Sequence, residues 1–332
     1  FSVSSVMATW TLAFRARKIA RAAGTLERST RWKTSVQAVL YDGADVETLW
    51  PTIRAEEQVD FVNFLLDYVR RLDGDERALV CRLAEPFLPS IVEQLSRREE
   101  GRRMRAVQTL GELGLPEYGP EVIAGLDDQS PLVAMVAAST LARTENSVFA
   151  GEVLRRLDRF THWRQDFLAE MLVSMGSDAI PALRAGLASF ENSAKVRAIA
   201  ADALAGLSDG ESADVAVQLL GPDVDVEVRA ACLRLLRSVG RGEHLPAVRR
   251  CLDSESLPVR LNAVRALGSF GEARDLDALD LRAREDPSPW VAIAAARALK
   301  ESGGTPALEA LAGSEHPRAA LGLQVISEAR SW

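Results

Sequence analysis

The stretch VRAACLRLLRSVG at 228–240 returns as VRLNAVRALGSFG at 259–271, 31 residues later. Carrying that interval in both directions gives equivalent anchors at Arg102, Val133, Arg164, Val196, Val228, Val259 and Val291, spaced 31 or 32 residues apart. Eight residues past each anchor stands a leucine: Leu110, Leu141, Leu172, Leu204, Leu236, Leu267 and Leu299. Four residues past it the side chain is nearly always small (Ala106, Ala137, Leu168, Ala200, Cys232, Ala263, Ala295), as a closely approaching neighbour helix requires. Twelve residues past most anchors, Gly114, Gly176, Gly240, Gly271 and Gly303 are expected to take the left-handed conformation that ends a helix. A second, shorter helix should follow, opened by Pro120, Pro181, Pro246 or Pro306, where the missing N–H costs nothing. Two helices per unit at a fixed period predict a solenoid, because each hairpin hides its apolar face only by stacking on its neighbours.

Asp253 with Val259, Arg260, Ala263, Ala266, Leu267 and Gly268, and Asp223 with Val228, Arg229 and Ala230, make the units resemble HEAT repeats of the short, phycobilisome-lyase-like kind. The resemblance covers about two thirds of the chain. It implies an all-α fold, a right-handed α-solenoid of stacked helical hairpins with an N-terminal membrane-anchor or amphipathic helix. It does not fix a function, since this repeat class serves scaffolds, transport receptors and a few enzymes. The arginine of the Val-Arg pair is replaced by Ala134, Gln165 and Ala292 in three units, so an Asp–Arg ladder between repeats should break there.

Composition fits that picture. A chain of 332 residues has the length of two globular domains, but a solenoid grows without enlarging a single core. Charged residues at 26% and hydrophobic ones at 47% are ordinary for a folded protein. Cys81, Cys232 and Cys251 form no CxxC pair; Cys232 occupies a small-residue core position and reads as a packed thiol, which fits a reducing compartment. The net charge is −7, unevenly spread: residues 15–33 carry +6, residues 1–14 none, and the chain from 34 onward −13. So acidic a body is a poor nucleic-acid binder, because phosphate neutralisation needs clustered Lys and Arg.

Residues 1–14 are uncharged and stop at a basic run. They fall short of the ~20 residues a bilayer needs, and roughly six more apolar residues ahead of Phe1 would complete a span. Three readings stand: the tail of a membrane anchor, an amphipathic helix on a membrane or partner, and an ordinary first helix. The anchor reading leads, with 1–24 as its end, Trp10, Phe14, Arg15, Arg17, Lys18 and Arg21 near the membrane, and the repeats in the cytoplasm. Residues 25–100 read as divergent helical hairpins (25–43, 56–72, 77–84, 86–95) and 101–332 as regular repeats. These end in a C-terminal cap whose helix, 318–329, follows Pro317; 143–147 and 159–163 are irregular linkers. With Leu26, Glu27 and Trp32 after the basic run, the front end resembles bacterial membrane-anchored HEAT-repeat proteins. That resemblance implies a place beside a membrane glycosyltransferase or other envelope complex.

Chemistry finds little foothold. His162, His244 and His316 each fall between helices and read as solvated loop histidines. Deoxyhypusine hydroxylases, built from similar repeats, hold iron with His-Glu pairs; here Glu243-His244 and Glu315-His316 run in the reverse order. Asp223, Asp225 and Glu227 suit an N-cap better than a calcium loop, and Asp275, Asp277 and Asp280 read as a solvated face. No phosphate loop, dinucleotide fingerprint or nucleophile elbow occurs. We therefore assign no catalytic, cofactor or metal residue.

The second helices, expected to line the inner wall, carry Arg155, Arg156, Arg184, Arg249, Arg250 and Arg282. These are either a basic stripe for an acidic partner or independent surface arginines. The stripe reading predicts that charge reversal at Arg249 and Arg250 weakens partner capture without moving the thermal midpoint. Trp163 and Trp290, beside first-helix starts, either cover the unit below or anchor a partner. The leading function is a non-enzymatic, membrane-tethered adaptor for a protein partner. Its alternatives are a chromophore lyase of the phycobilisome-lyase kind and a HEAT-like nucleic-acid enzyme.

Overall fold

The computed structural model describes residues 27–143, 147–160 and 163–328. Among them regular structure is helical throughout, and no helix is long and apolar enough to cross a membrane. Trp10, Phe14, Arg15, Arg17, Lys18 and Arg21 lie outside the described residues, as does His162. The chain forms two compact units, one ending at Thr140 and one beginning at Leu141.

In the first unit α1 covers residues 27–41 and stops before Gly43, whose φ of +71° no β-carbon would favour. Three short 3-10 turns lead to α2 (Gln58–Val69), followed by α3 (Gly74–Ala84), α4 (Leu88–Leu95), α5 (Glu100–Leu113), α6 (Gly119–Gly125) and α7 (Pro131–Ala142). Where the leucine beat is missing, aromatic rings fill the core. Trp32 and Phe87 each meet Phe61 edge-on, with centroids 5.5 Å apart. Such pairs add about 0.5–1.5 kcal/mol beyond the area they bury.

The second unit holds α8 (Ser147–Arg155), α9 (Gln165–Val173), α10 (Ile180–Ala188), α11 (Ala194–Gly206), α12 (Ser212–Gln218) and α13 (Val226–Val239). It continues with α14 (Leu245–Arg250), α15 (Leu257–Phe270), α16 (Leu276–Glu285), α17 (Pro289–Glu301), α18 (Thr305–Ala312) and α19 (Ala319–Ser327). The first helices α9, α11, α13, α15 and α17 pack directly on one another, whereas the second helices pack mainly onto first helices. Small residues serve this packing: a β-carbon on Gly206 of α11 or Gly268 of α15 would stand 2.7 Å from Val173 of α9 or Ala298 of α17. Within this unit the first helices are the tighter layer.

Every beat leucine is buried, none more than 2% exposed, each contributing about 1.5–3 kcal/mol of apolar transfer. The prolines predicted to open second helices all sit in their first two positions. The glycine expectation needs correction at two of five positions. Gly114, Gly176 and Gly303 do have positive φ. Gly240 and Gly271, at φ −65° and −66°, do not. They are needed for close approach: a β-carbon would stand 2.3 Å from the carbonyl oxygen of Leu236 or Leu267.

The Val-Arg arginines tie loops together. Arg260 bonds the Ser254 and Glu255 carbonyls ahead of its own helix and the Asp286 carboxylate ahead of the next. Arg103 does the same with the Arg97 and Arg98 carbonyls and Asp128. The aspartate that closes each link belongs to the following repeat. Asp253, the aspartate of Arg260's own motif, instead meets Arg282.

Candidate functional site

The first helices α11, α13, α15 and α17 bury their anchor together with the residues four and eight further on. At 100° per residue, the positions just before the anchor and two, six and nine or ten after it form the opposite, outward side. In α15 that side reads Leu257, Leu261, Arg265, Ser269; in α17 it reads Trp290, Ile293, Arg297, Glu301. Each helix thus opens with an exposed apolar residue and carries an arginine two turns on. Val226 of α13, two residues before its anchor, is exposed in the same way; Phe167 of α9, three residues after Arg164, is exposed too and stacks on Trp163 with centroids 5.6 Å apart. Trp290 is 70% exposed.

The arginines of this face differ in how they are neutralised. Arg234 of α13 donates to both oxygens of Asp202 at 2.8 Å, and Gln165 donates to the same carboxylate at 3.0 Å. Arg297 donates to both oxygens of Glu328, at 2.9 and 2.8 Å. Between them, the side chains of Arg237 and Arg265 are exposed and make no hydrogen bond or ion pair among the described residues. Partial burial, with the positive charges of Arg237 and Arg297, holds the Arg265 guanidinium below its ordinary pKa.

The arginines singled out on the second helices are differently placed. Arg155 and Arg156 both meet Glu152. Arg184 holds Asp209 and Glu211 of the next repeat, and Arg249 holds Asp275 at 2.5 Å and Glu272 at 3.1 Å. Arg282 meets Asp253. Arg250 is exposed and unpaired among the described residues. Most of these side chains therefore fasten elements of the fold. Arg237 and Arg265 were missed by sequence reasoning, although Arg234, Arg265 and Arg297 recur six residues past three successive anchors.

Two further readings are corrected. Asp275 is buried, not part of a solvated face: burial would raise its pKa, but the Arg249 guanidinium and the Glu272 N–H hold it below the usual carboxylate range. His244 is buried too, its Nδ1 accepting the Arg241 N–H at 2.9 Å, so it closes a turn and is no solvated loop histidine. Asp225 caps α13 as expected, accepting from the Glu227 N–H at 2.8 Å. All three thiols are buried, and burial pushes that of Cys232 up to about 12. Among the described residues no cluster of three or more His, Cys, Asp or Glu is placed to hold a metal ion.

Residues 213–300 match the family model described as HEAT repeats. No curated protein matches the chain. Among solved structures, an engineered protein is 16% identical over 92% of this chain and 96% of its own, with a TM-score of 0.40. The karyopherin Kap121p bound to Ste12p is 17% identical over 83% of this chain and 38% of its own, at a TM-score of 0.47. The complex of CpcE and CpcF of phycocyanin lyase from Nostoc sp. PCC7120 is 19% identical over 72% of this chain and 86% of its own, at 0.34. The chain thus spans about two fifths of the karyopherin it matches.

Proposed function

We propose that this HEAT-repeat protein is a non-enzymatic scaffold that docks a protein partner on the first-helix face of its second unit. The observation that supports the reading is the exposed apolar residue near the start of four of the five first helices, Phe167, Val226, Leu257 and Trp290, with α11 the exception, on a tightly packed layer. Large apolar side chains repeated along one face are a cost in water unless something covers them. A preorganised layer loses little conformational entropy when it is covered.

The finer reading, a tether at the cytoplasmic face of a bacterial membrane beside an envelope complex, rests on the sequence of residues 1–24 and on resemblance. It has its own test: the full chain should sediment with membranes and a chain lacking residues 1–24 should not. For the docking reading, the full chain is isolated by affinity in mild detergent and the co-purifying proteins are identified. A reproducible stoichiometric partner supports it; recovery of the chain with lipid alone, under several conditions, counts against it.

A further inference from the structure

Resting on that docking reading, we propose that the groove between α15 and α17 takes an acidic segment of a protein partner, one that presents an apolar or aromatic side chain next to its carboxylates. The groove has a volume of about 600 Å³ and is lined by Leu257, Leu261 and Arg265 of α15, Trp290 and Ile293 of α17, and Arg237 of α13. A space of that size holds a few side chains, not a globular surface. Its apolar floor and exposed indole suit an inserted leucine or aromatic ring, since tryptophan is among the residues enriched at binding hot spots.

Charge selects the rest of the occupant. Many arginines of this unit are matched by carboxylates: Arg184 by Asp209, Arg234 by Asp202, Arg249 by Asp275, Arg260 by Asp286, Arg282 by Asp253. In the groove, Arg297 is matched by Glu328, and Glu301 is the one acidic side chain among the lining residues. Arg237 and Arg265 remain unmatched there, and the charges of Arg237 and Arg297 add to partial burial in lowering the hold of Arg265 on its proton. An incoming carboxylate relieves that repulsion, and the planar guanidinium fork pairs a carboxylate through two hydrogen bonds. A nucleic acid would meet the same arginines but also a body of net charge −13 from residue 34 onward, which opposes an extended polyphosphate.

The test uses the full chain and an array of synthetic 12-residue peptides. Each carries one Leu, Phe or Trp flanked by Asp and Glu, with neutral, basic and ring-deleted counterparts, and a labelled oligothymidylate stands beside them. The wild-type chain should retain the acidic peptides that carry the apolar residue, less so as salt rises. Trp290→Ala and the double variant Arg237→Glu/Arg265→Glu should each weaken that retention at least about tenfold. Neither should shift the thermal midpoint, and Phe167→Ala, outside the groove, should leave retention unchanged. Equal retention by the groove variants, loss in Phe167→Ala alone, or absence of any acidic preference overturns the groove assignment. Docking elsewhere on the face then still stands if a stoichiometric partner co-purifies. Preferential retention of oligothymidylate overturns both.

Discussion

Arg260 grips Asp286 with two hydrogen bonds, Nε to Oδ2 at 2.9 Å and Nη2 to Oδ1 at 3.2 Å, in a site where the aspartate is 1% exposed. Asp286 also accepts the Ser288 N–H at 2.9 Å, so a single ion pair fixes the entries of α15 and α17. Removing one partner of a buried pair strands the other charge, which costs about 3–5 kcal/mol. Arg260→Ala should therefore lower unfolding stability by about that much in urea titration. Arg250→Ala, at an exposed unpaired side chain, should change it by less than about 0.5 kcal/mol.

Acid should weaken the same links. Burial would raise the pKa of Asp286, but bonds from Arg260 and the Ser288 N–H outweigh it and leave the value below the ordinary one. Asp209 is lowered by its hydrogen bond from Arg184, and Asp275 is lowered as described above. Folded values below the unfolded value of about 4 mean that the contribution is complete above that pH and is lost as pH falls through the folded values. Thermal melts should show stability falling below about pH 4, and the fall should be shallower in Asp286→Asn, which starts from a lower plateau.

Two glycines should respond in opposite directions. A β-carbon on Gly268 would lie 2.7 Å from that of Ala298 and 3.1 Å from its Cα, between adjacent first helices. Gly268→Ala should destabilise by about 1–3 kcal/mol through overpacking. Within α8, Gly151 meets only the end of Arg155 at 4.0 Å. Gly151→Ala should stabilise by about 0.5–1 kcal/mol, since helix propensity and reduced unfolded-state freedom both favour alanine.

Charge reversal separates the two neighbouring arginines that sequence had grouped. Arg249→Glu would place a third carboxylate against Asp275 and Glu272, so its midpoint should drop sharply, with a loss of about 3 kcal/mol or more. Arg250→Glu should leave the midpoint in place. The expectation that reversing both spares stability is thus corrected, because Arg249 is an inter-repeat tie.

What sequence revealed follows from what repeats. Leu236 and Leu267 must be buried in every copy, so the fold was legible from their beat, and the cap at Asp225 from local chemistry. Partnership across repeats was not. Arg249 and Arg250 are adjacent in the chain, yet helical geometry points one at Asp275, 26 residues on, and the other at solvent. Gly240 and Gly114 look equivalent by position, but only backbone geometry tells a positive φ from a crowded carbonyl. The proposed docking face was half visible: Trp290 stood out by type, whereas Arg265 gained meaning only when its neighbours proved to be other arginines.

The claim that the first-helix layer is the docking face is tested most directly by site-specific photo-crosslinking of the full chain to its co-purifying partner. A photoreactive residue is placed singly at Phe167 or Leu257 on first helices, or at Leu281 or Arg250 on second helices, all exposed. Adducts from 167 and 257, with none from 281 and 250, are the predicted result; adducts confined to 281 or 250 would contradict the account.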